Sequence, residues 1–286
     1  MTTRITLPSR IGVLGGGRMG AGIAHAFLIN GAEVIITERD APAAEAARDR
    51  VEKSVAESEE RGVLTEPAEE VLTRFRVSRS PADFADCELV VEAVPEDRDL
   101  KVAALRDIER YLSPTAVLAS NTSSLSVTGL AEELNAPERF LGLHFFNPVP
   151  ASLLIEVVVG KHTDPSLIDA ASHWAISLGK TPVVVHDAPG FASSRLGLAL
   201  ALEAMRMVEE GVASAGDIDN AMLLGYRHHT GPLRTTDLVG LDVRLNIAEH
   251  LAATLGERFT PPQVLRDKVE AGELGRKSGK GFFDWT

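Results

Sequence analysis

The stretch Ile11-Gly-Val-Leu-Gly-Gly-Gly-Arg-Met-Gly20 most constrains what this chain can fold into, because a short apolar strand runs straight into a Gly-x-Gly-x-x-Gly turn. The three spaced glycines, Gly15, Gly17 and Gly20, answer separate demands of a backbone that holds a pyrophosphate. Gly15 permits the tight turn, and Gly17 lets the backbone approach the ligand with no Cβ in the way. Gly20 lets the following helix pack closely on the strand. That helix is predicted from Met19 to about Asn30, its free N–H groups and dipole favouring an anion. A second strand, Glu33 to Thr37, follows and ends in an acidic residue, Glu38. Glu38 is placed to accept hydrogen bonds from the adenosine ribose and to repel a 2′-phosphate, which favours NAD over NADP. Two other readings stay open: Glu38 ends a strand and nothing more, and the adjacent Arg39 suits a 2′-phosphate.

Charge and composition exclude several classes. At 286 residues the chain is long enough for two domains with sizeable cores. A net charge of −12 argues against a nucleic-acid partner. It also means that an anionic cofactor must be held by local devices, such as helix N-termini and single Lys or Arg residues. The lone cysteine, Cys87, excludes an internal disulfide and fits a reducing, cytoplasmic setting. Met1 to Arg10 carries no apolar run resembling a secretion signal, and no stretch has the apolar length to cross a bilayer. No membrane partner and no metal are expected.

Apolar runs alternate with helical patterns through the first two-thirds of the chain. Strands are predicted at Phe75–Ser78, Leu89–Val94, Val117–Ala119, Arg139–His144, Leu154–Val159 and Thr181–Val185. This alternation argues for an α/β fold, a Rossmann-type doubly wound and mostly parallel sheet with an antiparallel extension late in the order. A charged helical hairpin, residues 41–72, is inserted after the second strand. Read alone, it is a solvated helix pair; set beside the cofactor site, it would form one wall of a second ligand's groove. At Asp187-Ala-Pro-Gly-Phe191 the pattern turns helical, with helices predicted at Ala192–Glu210, Ala215–Leu224, Leu238–Leu255 and Pro262–Ala271. The expected organisation is therefore a dinucleotide-binding domain over residues 1–187 and an all-helical C-terminal domain over 188–286.

Two later segments carry the chemistry. Ala119-Ser-Asn-Thr-Ser-Ser-Leu125 places small hydroxyl and amide groups after a predicted strand, where ligands bind in open α/β sheets. Gly142-Leu-His-Phe-Phe-Asn-Pro-Val-Pro150 ends another strand, and Leu154-Ile-Glu-Val-Val158 follows. Oxidation of a secondary alcohol needs a base for the hydroxyl proton, and histidine titrates in the useful range. His144 is the best placed of the eight histidines, with Glu156 on the next strand to fix its tautomer and stabilise its cation. A lone strand-end histidine also has an ordinary structural reading.

Ser120-Asn-Thr-Ser-Ser124, His144-Phe-Phe-Asn-Pro-Val-Pro150 and Glu156 together resemble the L-3-hydroxyacyl-CoA dehydrogenase family, most closely its 3-hydroxybutyryl-CoA dehydrogenase branch. The resemblance covers nearly the whole chain. It extends to Glu92-Ala-Val-Pro-Glu96, Pro189-Gly-Phe191, Asp237-Leu-Val-Gly-Leu-Asp242 and the tail Leu274-Gly-Arg-Lys-Ser-Gly-Lys-Gly-Phe282. It implies that His144 is the acid–base residue, Glu156 its partner, and Ser123 a hydrogen-bond donor to the reacting substrate oxygen. Glu96 and Lys101 match positions that contact NAD near its ribose and nicotinamide end, and Asn147 matches one that supports the nicotinamide pocket or its loop. The hairpin would line a CoA groove, with Lys53 a phosphate contact. The helical domain would close over an acyl-CoA substrate and supply a homodimer interface, in an enzyme of fatty acid metabolism.

The family typically reads Pro-Gly-Phe-x-x-Asn-Arg where this chain has Pro189-Gly-Phe-Ala-Ser-Ser194-Arg195. Ser194 can still donate to a carbonyl or oxyanion, but it reaches less far. Losing one aligned donor costs about 2.7–4 kcal/mol of transition-state stabilisation. Ser194 therefore keeps open a free hydroxy-acid dehydrogenase of the gulonate dehydrogenase and lambda-crystallin type; a dinucleotide-binding protein of weak activity is a separate alternative, against which the presence of both His144 and Glu156 argues.

Overall fold

The computed structural model describes residues 6–285, so the first half of the stretch Met1–Arg10, on which the expectation of no secretion signal falls, lies outside the described residues. The chain divides into two compact units at Ala188/Pro189. The first holds eight strands: β1 (Arg10–Leu14), β2 (Glu33–Thr37), β3 (Phe75–Ser78), β4 (Leu89–Glu92), β5 (Val117–Ser120), β6 (Phe140–Phe145), β7 (Leu154–Val159) and β8 (Thr181–His186). Its helices are α1 (Arg18–Leu28), α2 (Ala41–Glu60), α3 (Ala68–Leu72), α4 (Arg98–Glu109), α5 (Val127–Ala131) and α6 (Pro165–Ser177).

The strands form one sheet in the order β3-β2-β1-β4-β5-β6-β7-β8. Six of its seven pairings are parallel, and β6–β7 is the antiparallel one. The order reverses direction at β1/β4, which puts the carboxyl ends of both strands at the switch point where open sheets bind ligands. Parallel strands covered on both faces read as continuous apolar runs, and β4 (Leu-Val-Val-Glu) and β6 are buried at every position. Short polar caps start the helices that follow: Asp40 accepts from the Ala43 amide at 2.8 Å and Asp97 from the Leu100 amide at 2.8 Å. α1 is buried from Gly20 to Leu28, since the sheet lies on one side and α2 on the other. α2 turns Ala47, Val51, Val55 and Ser58 inward. The helical hairpin is thus anchored along its first arm.

The second unit holds α7 (Ser193–Glu209), α8 (Ala215–Asn220), α9 (Pro232–Val239), α10 (Leu241–Leu255) and α11 (Gln263–Glu270). Leu198, Leu202, Met205, Leu233, Leu251 and Leu265 are at the centre of its own core. Asp237 gathers the tail, accepting from the Phe282 and Phe283 amides at 2.9 Å each and from Trp285 Nε1 at 2.8 Å. The expected single helix over 238–255 is two, because Gly240 takes φ +107° and breaks the helical path. The run expected to Leu224 leaves α-geometry at Ala221 and finishes in a single π turn to Gly225.

Candidate active site

Gly15 stands at φ +89°, a backbone conformation that side-chain-bearing residues rarely adopt. A Cβ on Gly20 would collide with the Gly15 carbonyl oxygen, so the helix can lie this close only with glycine there. Gly17 is the N-cap of α1, whose start has no side-chain cap and no acidic residue in its first turn. A Cβ at Gly17 would meet nothing within 4 Å. This uncapped helix start opens on a cavity of about 960 Å³ built wholly from the first unit. Of the sequence-predicted residues, Gly15, Gly17, Glu38, Glu96, Ser123, His144 and Asn147 line it. An uncapped helix start, open space at Gly17 and a carboxylate at the end of β2 are what a dinucleotide's pyrophosphate and ribose require. The donor set fits the cofactor.

Glu38 does more than end its strand: Oε1 accepts from the Gly16 amide at 2.6 Å, tying β2 to the glycine loop. Arg39 is mostly exposed and pairs with Asp40 at 3.0 Å. The sequence reading missed Arg50, which lines the same cavity and donates from Nη1 to the Gly16 carbonyl at 3.1 Å. Ala43, Ala46 and Arg50 form one helical stripe of the wall. Two small residues followed by a cation at that spacing were a readable signal.

Lys101 is not on the wall. It is 1% exposed, with Nζ donating to Glu92 Oε1 at 2.7 Å and to the Val94 carbonyl at 3.1 Å. Glu96 Oε2 lies 3.3 Å from the same ammonium. Glu96 Oε1 in turn accepts from Thr122 Oγ1 at 2.7 Å and from the Ser123 and Ser124 amides at 2.9 Å each. Burial works to raise the Glu96 carboxyl, but Lys101 and these donors outweigh it and hold it below the usual range. The fully buried Glu92 also accepts from the Val94 amide at 2.7 Å and Ser120 Oγ at 2.6 Å. These bonds fix the loop that carries Ser123 against the end of β4.

His144 and Glu156 are directly opposed in the antiparallel β6–β7 register. Their side chains meet at 2.8 Å between Nδ1 and Oε2, with Glu156 0% and His144 7% exposed. Period-two alternation puts opposed residues of neighbouring strands on one face, so this contact follows from the register. The Phe146 ring lies 4.4 Å from the imidazole between centroids. Asn121 Oδ1 accepts from the Phe145 amide at 2.8 Å, joining the end of β5 to the end of β6. Glu156 lies behind His144, off the cavity wall. Lys53 is exposed on α2, and Ser194 is half-buried in the first turn of α7, in the second unit.

The sequence matches the family model of the 3-hydroxyacyl-CoA dehydrogenase NAD binding domain over residues 10–188 and that of the 3-hydroxyacyl-CoA dehydrogenase C-terminal domain over 190–285. It is 40% identical to a probable 3-hydroxybutyryl-CoA dehydrogenase of Deinococcus radiodurans, across 96% of this chain and 100% of that one. It is 37% identical to a 3-hydroxyadipyl-CoA dehydrogenase of Escherichia coli, across 96% of this chain and 58% of that longer protein. The crystal structure of (S)-3-hydroxybutyryl-CoA dehydrogenase from Ralstonia eutropha matches with a TM-score of 0.93 at 35% identity, covering 98% of this chain and 99% of that one. With both family domains present in order and an NAD-binding first unit, this chain belongs to the 3-hydroxyacyl-CoA dehydrogenase family of NAD-dependent oxidoreductases.

Proposed function

We propose that the chain oxidises short (S)-3-hydroxyacyl-CoA thioesters, 3-hydroxybutyryl-CoA among them, to 3-ketoacyl-CoA and runs the reverse reaction, with His144 as the acid–base residue. The observation that carries this reading is the buried 2.8 Å contact between His144 Nδ1 and Glu156 at the edge of the cofactor cavity. A carboxylate at Nδ1 keeps the ring proton there, so Nε2 is the nitrogen that exchanges a proton with substrate. In oxidation His144 Nε2 takes the C3 hydroxyl proton, and Glu156 stabilises the resulting imidazolium. Bound NAD+ supplies the acceptor for the hydride that leaves C3. In reduction the imidazolium returns its proton to the developing alkoxide. Ser123, anchored through its amide to Glu96, donates to the substrate oxygen, and Ser194 takes the place of the family asparagine as a second donor. Gly15, Gly17, Gly20, Glu38, Glu96 and Asn147 serve the cofactor, Lys101 acts on it through Glu96, and Lys53 meets a CoA phosphate. The enzyme works as a homodimer in the cytoplasm.

The test is NADH consumption at neutral pH with acetoacetyl-CoA, beside NADPH and beside free acetoacetate. Rapid, NADH-specific reduction of the thioester alone is expected. Reduction of the free acid in preference to the thioester would overturn the substrate class, and equal use of NADPH would remove Glu38 from cofactor choice.

A further inference from the structure

Residues 146–153, which join β6 to β7, close one end of the cofactor cavity, with Phe146 and Asn147 on its wall. The segment is poorly equipped to hold itself. Pro148 and Pro150 have no N–H to give, and the Ala151 and Ser152 amides share one acceptor, the Pro148 carbonyl, at 3.1 and 3.0 Å. Its other carbonyls are met from outside, by two consecutive residues that lead into β8. The Thr181 amide donates to the Leu153 carbonyl at 2.6 Å. Lys180 Nζ donates to the Val149 carbonyl at 2.7 Å and to the Ser152 carbonyl at 2.5 Å. Lys180 is 8% exposed, and both of these acceptors are main-chain oxygens, so no carboxylate among the described residues balances its charge. A buried ammonium without a counter-ion is costly, and burial lowers its proton affinity. An apolar side chain of the same length would avoid that cost, so the charge is accounted for by what it holds.

What it holds is the wall beside His144. Val149 is buried, and a Cβ on Gly22 of α1 would stand 2.9 Å from the Val149 Cβ. The Val149 side chain is thus seated on α1 while its carbonyl is drawn to Lys180. These two contacts fix where the residues just before it, Phe146 and Asn147, stand, and the Phe146 ring lies against the His144 imidazole. The other end of the cavity is at Glu38, after β2. Four strand spacings of about 4.8 Å, roughly 19 Å, separate β2 from β6 in the sheet. A dinucleotide with its adenosine ribose at Glu38 therefore brings its nicotinamide to residues 144–147.

We infer that Lys180 is a positioning residue for the nicotinamide half of the cofactor: it draws the 146–153 loop inward and so sets Phe146 and Asn147 against the ring. Lys180 itself is off the cavity wall and acts through the loop. This rests on the proposed placement of the nicotinamide beside His144 and Asn147.

The experiment sets NADH beside ADP-ribose, which is the cofactor without its nicotinamide. Isothermal titration gives the Kd of each for the full-length native enzyme and for K180M, K180Q and K180R. In K180M the NADH Kd is expected to rise about tenfold, the worth of one or two hydrogen bonds, with the ADP-ribose Kd within about twofold of native. K180R keeps a charged donor and should recover part of the loss. K180Q falls short of both carbonyls and should show the same split as K180M, which keeps the test decisive where the apolar variant does not fold. A lysine that served the fold alone would lower the melting temperature and leave the ratio of the two Kd values unchanged. That result overturns the inference, and so does failure of both K180M and K180Q to fold. N147A separates the inference from the placement beneath it, since it too should weaken NADH binding and spare ADP-ribose. If N147A leaves NADH binding unchanged, the placement of the nicotinamide falls and the inference with it. If N147A shows the split and the Lys180 variants do not, the placement stands and Lys180 is wrongly assigned.

Discussion

Two buried ionic clusters flank the same cavity, and they differ in what their charges are free to do. Lys101 lies between Glu92 and Glu96, all its contacts made within the protein, and no member of that trio needs to change charge. His144 lies against the carboxylate of Glu156 and stands at the cavity wall, within reach of a ligand there. The lesson is that burial and pairing alone do not mark a chemical group. The first cluster holds the Ser123 loop in place; the second is the one to which we assign proton transfer.

The comparison breaks first at Lys101. K101M takes the cation away from the fully buried Glu92, and removing one partner of such a pair costs about 3–5 kcal/mol. A large fall in the denaturation midpoint is expected; an unchanged midpoint would mean the trio does not hold the fold. At the other cluster, H144Q should fold normally yet lose at least about 100-fold in turnover, the range of positioned acid–base catalysis. Near-native turnover would show that the wrong cluster has been given the chemistry. E156Q should keep NADH affinity, measured by fluorescence titration, and lose about tenfold in turnover, which is roughly 1.4 kcal/mol of transition-state stabilisation.

The smallest effect concerns a third buried group, His25, which joins α1 to α2 through Ser58 Oγ at 2.8 Å. Burial is the main cause of its lowered proton affinity, below the ordinary value of 6.5. The unfolded chain therefore takes up this proton at a higher pH than the native one. The stability it contributes is complete above about pH 6.5 and declines as the pH falls below that value. Melting temperatures of the native protein and H25Q should diverge above that pH and converge under acid. A parallel pair of curves would show that His25 titrates alike in both states.

Much of this was legible in the chain because the features are local. The glycine turn, the strand-end Glu38 and the spacing from His144 to Glu156 each rest on a strand period or a turn rule. The antiparallel β6–β7 register turns a twelve-residue separation into a direct contact. What escaped depended on distant packing. The resemblance puts Lys101 against the cofactor, and only the fold places it under β4 beside Glu92. Arg50 meets the glycine loop across 34 residues of sequence. The break between α9 and α10 needed one torsion, at Gly240, inside a run whose apolar spacing continues on both sides.

The central claim, that Glu156 works only by holding His144, is tested most directly by turnover of acetoacetyl-CoA in the double-mutant cycle of H144Q and E156Q. The account predicts about a tenfold loss from E156Q in the native background and no further loss once His144 is gone. Equal, additive losses in both backgrounds would contradict it and give Glu156 a role of its own.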